Sequence, residues 1–208
     1  MKTVLVEEHT IVDIEKCSGM VLDVGCRHFD FTKAMIAKGY HVISLEADDT
    51  VIPWHHRYVC FVQGALVPSC DHREEKTLIR FGNGTANHLS DIVGGLPSDK
   101  QENRVMGYSI AGLCSRFDTI WDVVKLDCEG SEYAVLLDWP GPVARQITVE
   151  FHEHTNANTE GPEVYDRIMK HLGQWYDVVQ HDFSCRHGIR TPNYWDSLFI
   201  LKPELLKA

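Results

Sequence analysis

Met20-Val21-Leu22-Asp23-Val24-Gly25 is an apolar run that carries one acid and closes on a glycine, the pattern of a buried strand that turns as it leaves a sheet. Over Phe31–Lys38, the residues Phe31, Ala34, Met35 and Lys38 fall at helical spacing, and Gly39 stands where a helix end uses left-handed backbone. Tyr40–Leu45 returns to strand composition and ends at Glu46-Ala47-Asp48. Strand, helix and strand in this order form a compact β-α-β unit and imply a parallel pair.

The pattern continues downstream. Tyr58–Val67 reads as a further strand region containing Gly64. A polar turn at Asp71–Glu75 leads into Thr77-Leu78-Ile79-Arg80-Phe81, which alternates like a half-buried strand. So short a separation predicts a hairpin or a small excursion from the main sheet. Gly82–Thr85 ends that run as a turn, and Ala86–Gly107 is weakly patterned, with loops marked by Gly94, Gly95 and Pro97. Asp122–Leu126 is a core strand followed by a short helix over Ser131–Leu137; Ile147–Phe151 is the next strand and ends at His152-Glu153-His154. Pro162–Leu172 carries Val164, Ile168 and Leu172 at spacings of four, the longest helical pattern in the chain. Trp175–Val179 and Ser197–Leu201 supply two late strands, joined by a loop from Ser184 to Asp196. Alternating strands and helices predict a predominantly parallel α/β sheet.

The chain has 208 residues and 44% hydrophobic content, enough for one substantial core. No linker divides it, so a single domain over 1–208 is expected, with its core at about 18–202. Thirty acidic against twenty basic residues give a formal charge of −10, which argues against broad adhesion to nucleic acid or anionic membrane. The N-terminus turns acidic at Glu7-Glu8 before a signal-length apolar segment develops, and no apolar run is long enough to span a bilayer. The seven cysteines are scattered and form no CxxC pair. Reduced thiols in a cytoplasmic protein are expected, and a structural zinc site is disfavoured. Oligomeric state stays open, a homo-oligomer included.

Chemistry concentrates where strands end. Lys125-Leu126-Asp127-Cys128-Glu129-Gly130-Ser131-Glu132 sets a dense group of charges directly after the apolar Val123-Val124, and such a group needs partners, solvent or a ligand. Asp23 and Gly25, Glu46, Asp127 and Glu129, and Glu150 and His152 each close a different strand. In parallel α/β sheets ligands gather at the carboxyl ends of strands, above all where the strand order reverses. Glu46 follows Asp23 by 23 residues, near the spacing at which an acid receives two ribose hydroxyls. Gly25 is not embedded in GxGxxG, and GxxxxGK[ST] is absent, so a conventional NAD fingerprint and a P-loop are both disfavoured.

Val21-Leu22-Asp23-Val24-Gly25, Ser44-Leu45-Glu46-Ala47, the KxDxEGxE arrangement at Lys125–Glu132, and Thr148-Val149-Glu150-Phe151-His152 together resemble the FkbM-type methyltransferases, which use S-adenosylmethionine. The match covers roughly residues 18–202, and its third element is the most diagnostic. The resemblance implies a Rossmann-like class I methyltransferase sheet with a late antiparallel strand at Ser197–Leu201. It implies that Asp23 and Gly25 border the methionine part of S-adenosylmethionine, that Glu46 receives the ribose hydroxyls, and that Gln63-Gly64-Ala65 lies near the adenine. Its members transfer methyl groups to oxygen on small-molecule or sugar-containing acceptors. One departure stands out. The family's loop reads Gly-Ala-Asn-x-Gly, whereas this chain has Cys26, Arg27 and Phe29 after Gly25, so a bulky side chain replaces the second glycine.

Methyl transfer needs the acceptor oxygen close to the sulfonium methyl and in line with the leaving sulfur. Asp127 is the first choice for the centre, with Glu129 beside it, to steady a cationic cofactor, orient a hydroxyl or hold a divalent cation. An extended backbone turns Lys125 and Asp127 to the same side and predicts an ion pair between them. Glu132 has a capping role open to it at the start of the next helix. Glu150 and His152 are two proton acceptors on one side of a strand, His152 on the condition that it is neutral. Asp127, Glu129, Glu150, His152 and His154 also form a potential metal set, with no ion assigned. In the late loop, Tyr194 and Trp195 offer an apolar platform, and Arg186 or Arg190 a partner for an acidic substituent. The leading expectation is O-methylation of a small-molecule or glycan-like acceptor. A non-catalytic binding or scaffolding protein of the same fold, and a metal-dependent hydrolase, are the alternatives.

Overall fold

The computed structural model describes residues 2–13, 15–80, 88–89, 101–152, 161–186 and 189–207, with side chains left aside at 80, 88, 161–162, 180–195 and 207. Strand β3 (Met20–Val24), helix α1 (Asp30–Ala37) and strand β4 (His41–Glu46) realise the expected β-α-β unit, with β3 and β4 parallel from Met20↔His41 to Val24↔Leu45. The strand Val59–Gln63 (β5) continues the sheet parallel to β4. On the other side of β3 lie β10 (Val123–Leu126), parallel to it, and then β11 (Gln146–His152), parallel to β10. Strand β13 (Ile189–Leu201) is antiparallel to β11, and β12 (Tyr176–Arg186) is antiparallel to β13, completing the order β12-β13-β11-β10-β3-β4-β5. The late antiparallel strand is therefore where it was expected, and the order reverses between β3 and β10.

Alternation along the strands assigns the two faces. Leu22, Ile43 and Val124 point into a core built with α2 (Ile110–Phe117), α3 (Glu132–Leu137) and α4 (Gly161–Leu172), through Leu113, Leu136, Ile168 and Leu172. Val21, Val42 and Val123 point the other way, onto Phe31 and Met35 of α1 and onto Val6 and Ile11. The last two residues belong to a hairpin of β1 (Thr3–Val6) and β2 (His9–Val12), closed by Glu7-Glu8. Gln146 fastens β2 to the sheet: its side-chain carbonyl accepts from the Val12 amide at 2.8 Å and its amide donates to the Val12 carbonyl at 3.0 Å.

At Gly64 the chain leaves the main sheet. Ala65–Leu66 (β6) pairs in parallel with Gln101–Tyr108 (β9), which runs antiparallel to Glu75–Arg80 (β7), itself paired with His88–Leu89 (β8). This second sheet is the expected excursion. The sequence pattern missed β9, because only Val105 and Gly107 of its first seven residues are buried. It also missed α2, whose start is set by Ser109 accepting from the Gly112 amide at 3.1 Å. The loop expected from Ser184 to Asp196 is corrected: its backbone pairs as strand, with Phe183↔Trp195 and Cys185↔Arg190 in register. The side chains of Arg186, Arg190, Tyr194 and Trp195, as well as His154, lie outside the described residues. Among the described residues, Cys17, Cys26, Cys60, Cys70, Cys114 and Cys128 are free thiols, and no helix is long and apolar enough to cross a membrane.

Candidate active site

Reversal of strand order opens a crevice between β3 and β10, and the backbone there is tightly fitted. Gly25 takes φ +74°, and a Cβ placed on it would stand 1.8 Å from the carbonyl oxygen of Asp127. Only glycine admits that approach. The turn then runs to Phe29, whose φ of +59° is the left-handed conformation that a glycine would favour. Its ring is buried, 5.9 Å from Phe61 and 6.3 Å from Trp54 between centroids. The bulky replacement thus keeps the turn, and burial of its ring offsets a backbone cost of about 1–2 kcal/mol.

Lys125 ties the two sides of the crevice together. Its ammonium donates to the carbonyls of Val24 at 3.1 Å and Gly25 at 2.8 Å, and pairs with Asp127 at 3.2 Å and Asp23 at 3.4 Å. Burial opposes its charge, but Asp127 and Asp23 outweigh burial and raise its pKa. Asp23 has no exposed surface; its other oxygen accepts from the Thr32 hydroxyl at 2.5 Å, and Thr32 in turn meets Ser44 at 2.8 Å. Asp23 therefore braces β3 against α1 and β10. For Asp127, burial pushes the pKa up, and Lys125, His152 and His9 together override it, holding the carboxyl lowered to about 2.

Glu132 shapes the turn after β10. It is fully buried and accepts from the amides of Cys128 at 3.0 Å and Gly130 at 2.6 Å, closing a turn in which Glu129 has φ +52° and Gly130 +104°. The same carboxylate lies 2.7 Å from His152 Nδ1, while Nε2 of His152 is 3.6 Å from both Asp127 and Glu129. Burial would lower the His152 pKa, yet Glu132, Asp127 and Glu129 drive it up to about 10. This raised pKa favours the protonated ring, set among three carboxylates, over the neutral ring that a proton acceptor needs. Glu129 is pushed up to about 7 by burial first, with Asp127, Glu132 and Glu150 adding to it and His152 opposing.

On the far side of β3, Glu46 ends β4 with 8% of its surface exposed. One of its oxygens accepts from the Asp48 amide at 2.9 Å, and burial raises its pKa. The Gln63 side-chain amide donates to the carbonyls of Glu46 at 2.8 Å and Ala47 at 3.1 Å, which sets Gly64 and Ala65 beside the same strand end. A Cβ on Gly64 would stand 2.5 Å from the Tyr108 ring.

Nine of the residues singled out from the sequence line one cleft of about 660 Å³: Asp23, Gly25, Glu46, Gly64, Ala65, Asp127, Glu129, Glu150 and His152. Glu7, Glu8 and His9 line it too, carried in by the β1–β2 turn. The sequence held a signal for them, two β-branched runs on either side of Glu7-Glu8, but nothing local said where that hairpin docks. Donor atoms of His9, Asp127 and Glu150 lie within 4.8 Å of one another, and so do those of Asp127, Glu129 and His152.

A family model described as a methyltransferase domain matches residues 98–181. The fibrillarin pre-rRNA processing protein of Methanococcus jannaschii is similar in structure at TM-score 0.52 and 9% identity, over 88% of this chain and 66% of that one. A TehB-like SAM-dependent methyltransferase from Corynebacterium glutamicum is similar at 0.44 and 11% identity, over 88% of this chain and 80% of that one. No curated protein matches the sequence. The fold is a Rossmann-like α/β sheet, mostly parallel with late antiparallel strands, shared with the fibrillarin structure.

Proposed function

We propose that this chain is an S-adenosylmethionine-dependent methyltransferase of FkbM type that methylates an oxygen of a small-molecule or glycan-like acceptor. The observation that carries the proposal is the crevice at the switch point, where a glycine turn pressed against Asp127 is flanked by a buried acid on the next strand. These residues fit the cofactor. The cleft of about 660 Å³ is of the size that buries a ligand of this class. The turn at Gly25 leaves no side chain between backbone and ligand, and the Glu46 carboxylate keeps acceptor capacity beyond its bond from Asp48. The matched methyltransferase model and the FkbM-like motifs support the same assignment.

When bound, the cofactor supplies a methyl group on a sulfonium centre. Gly25 and Asp23 shape its amino-acid end, Glu46 takes the ribose hydroxyls, and Gly64 with Ala65 borders the base. The anionic wall of Asp127, Glu129 and Glu150 favours a cation in the cleft and orients the acceptor hydroxyl. The raised pKa of His152 favours its protonated form, so the hydroxyl proton passes by way of the cleft carboxylates to solvent rather than to the imidazole. Titration calorimetry with S-adenosylmethionine and its demethylated product is the test; absence of heat from both, in a folded sample, rejects the assignment. Glu46→Ala is expected to weaken binding at least about tenfold, the loss of one charge-assisted hydrogen-bonded contact, with an unchanged melting temperature. Equal affinity would remove Glu46 from the ribose role.

A further inference from the structure

We infer that His9, Asp127 and Glu150 form a divalent-cation site of the Mn²⁺ type at the acceptor end of the cleft. The three come from the turn of the β1–β2 hairpin, the loop after β10 and the strand β11, and their donor atoms converge to within 4.8 Å of one another. Ligands on opposite sides of an ion bound at about 2.0–2.2 Å stand about 4.4 Å apart, so small side-chain adjustments close the set. His9 and Glu150 are 4% and 2% exposed, and Asp127 opens to the cleft. A protein ligand set with one open side leaves positions for water and a ligand oxygen.

The histidine is built in, not incidental. His9 pairs with Val6 across a two-residue turn, sets its ring edge-on to Phe31 at 5.7 Å, and continues into the Gln146 clamp on Val12. The hairpin therefore delivers an imidazole from one end of the chain to carboxylates that lie more than a hundred residues away in sequence. The other imidazole of the cleft, His152, is already held at 2.7 Å by Glu132. Lys125 is engaged with Asp23, Asp127 and two backbone carbonyls. Around them the cleft is lined by Glu7, Glu8, Glu129 and Glu150, so its acceptor end carries an excess of negative charge. One imidazole nitrogen with two carboxylate oxygens suits Mn²⁺ better than Ca²⁺ or a thiolate-seeking metal.

The catalytic use of the ion rests on the methyl-transfer proposal; its binding does not. The ion draws in the acceptor oxygen and makes its hydroxyl more acidic. The O–CH₃ bond then forms as the CH₃–S bond breaks, the hydroxyl proton leaves to solvent, and the sulfonium becomes a neutral thioether. The test is Mn²⁺ titration of the metal-stripped full chain, followed by electron paramagnetic resonance and by melting temperature, with no methyl donor present. One saturable Mn²⁺ per chain and a raised melting temperature are expected. His9→Gln and Glu150→Gln should each weaken Mn²⁺ binding at least tenfold, and in His9→Gln the S-adenosylmethionine affinity, read separately by calorimetry, stays within twofold. Circular dichroism screens both for folding, and either one, if folded, suffices. No Mn²⁺ binding by the wild-type chain overturns the site. So does loss of binding in Glu129→Gln with retention in His9→Gln and Glu150→Gln, which moves the ion to the set with His152. Loss of methyl-donor binding alone would reject the methyltransferase assignment and leave the cation site standing.

Discussion

Two residues decide the crevice more than any acid in it. Gly25 lets the β3 turn lie against the Asp127 carbonyl, and its positive φ forbids an ordinary side chain in any case. Gly25→Ala should therefore destabilise the fold by roughly 3 kcal/mol or more, measured as the urea midpoint; a change below about 0.5 kcal/mol would show that the turn yields freely. Lys125 is the other. Removing its ammonium leaves the buried Asp23 and the half-buried Asp127 without their shared cation. Lys125→Met is expected to cost about 3–5 kcal/mol, and a paired Asp23→Asn should recover part of it, since the uncompensated charge is the cause. Full stability in Lys125→Met would make the ion pair incidental. Lys125 opens the motif that the sequence singled out, and its bond to Asp127 followed from strand alternation. Its hold on Asp23 and on the Val24 and Gly25 carbonyls did not, because those partners are about a hundred residues distant and adjacent only through strand pairing.

Elements that were legible share strong periodicity: β3, α1, β4, β10, β11 and α4 alternate or repeat cleanly, and their cores are fully buried. Elements that were not legible are held by tertiary partners. β9 is mostly polar and exists because β6 and β7 flank it. The outer part of the β12–β13 hairpin, from Ser184 to Asp196, looked like a loop because its residues alternate poorly, yet the ladder continues through bulges at Val178/Gln180 and Phe183/Cys185. At the root of β12, Tyr176 shows how an edge element is anchored. Its hydroxyl donates to the Gly141 carbonyl and accepts from the Trp139 indole and the Ala144 amide, each at 3.3 Å. Burial, softened by those two donors, pushes its pKa up to about 12. The folded chain thus keeps a proton that the unfolded chain releases near pH 10, so this contribution is whole below pH 10 and is lost as pH rises toward about 12. Tyr176→Phe should cost about 1 kcal/mol at neutral pH and show a shallower alkaline loss than the wild type. Parallel alkaline profiles would exclude Tyr176 as the titrating group.

Over the whole molecule, the cleft joins both halves of the sheet, since its walls come from β3, β4, β10 and β11 as well as from the β1–β2 turn and β6. A ligand that binds only this assembled state must stabilise it. S-adenosylmethionine at a hundredfold excess over its dissociation constant should add about 2.7 kcal/mol, read as a rise in melting temperature that Glu46→Ala diminishes. An unchanged melting temperature at saturation would mean that the methyl donor does not bind the folded chain. Sequence alone determined the β-α-β start, the predominantly parallel sheet and the set of acids at strand ends, because each rests on local periodicity or on where a strand stops, while the reversal of the late strand came only from the family resemblance. Tertiary structure alone decided that His152 sits among three carboxylates, that Phe29 keeps the glycine turn, that Lys125 braces both sides of the crevice, and that His9 lies beside Asp127 and Glu150. Those outcomes depend on distances between segments remote in the chain and on the field of buried charges, and neither exists until the sheet has closed.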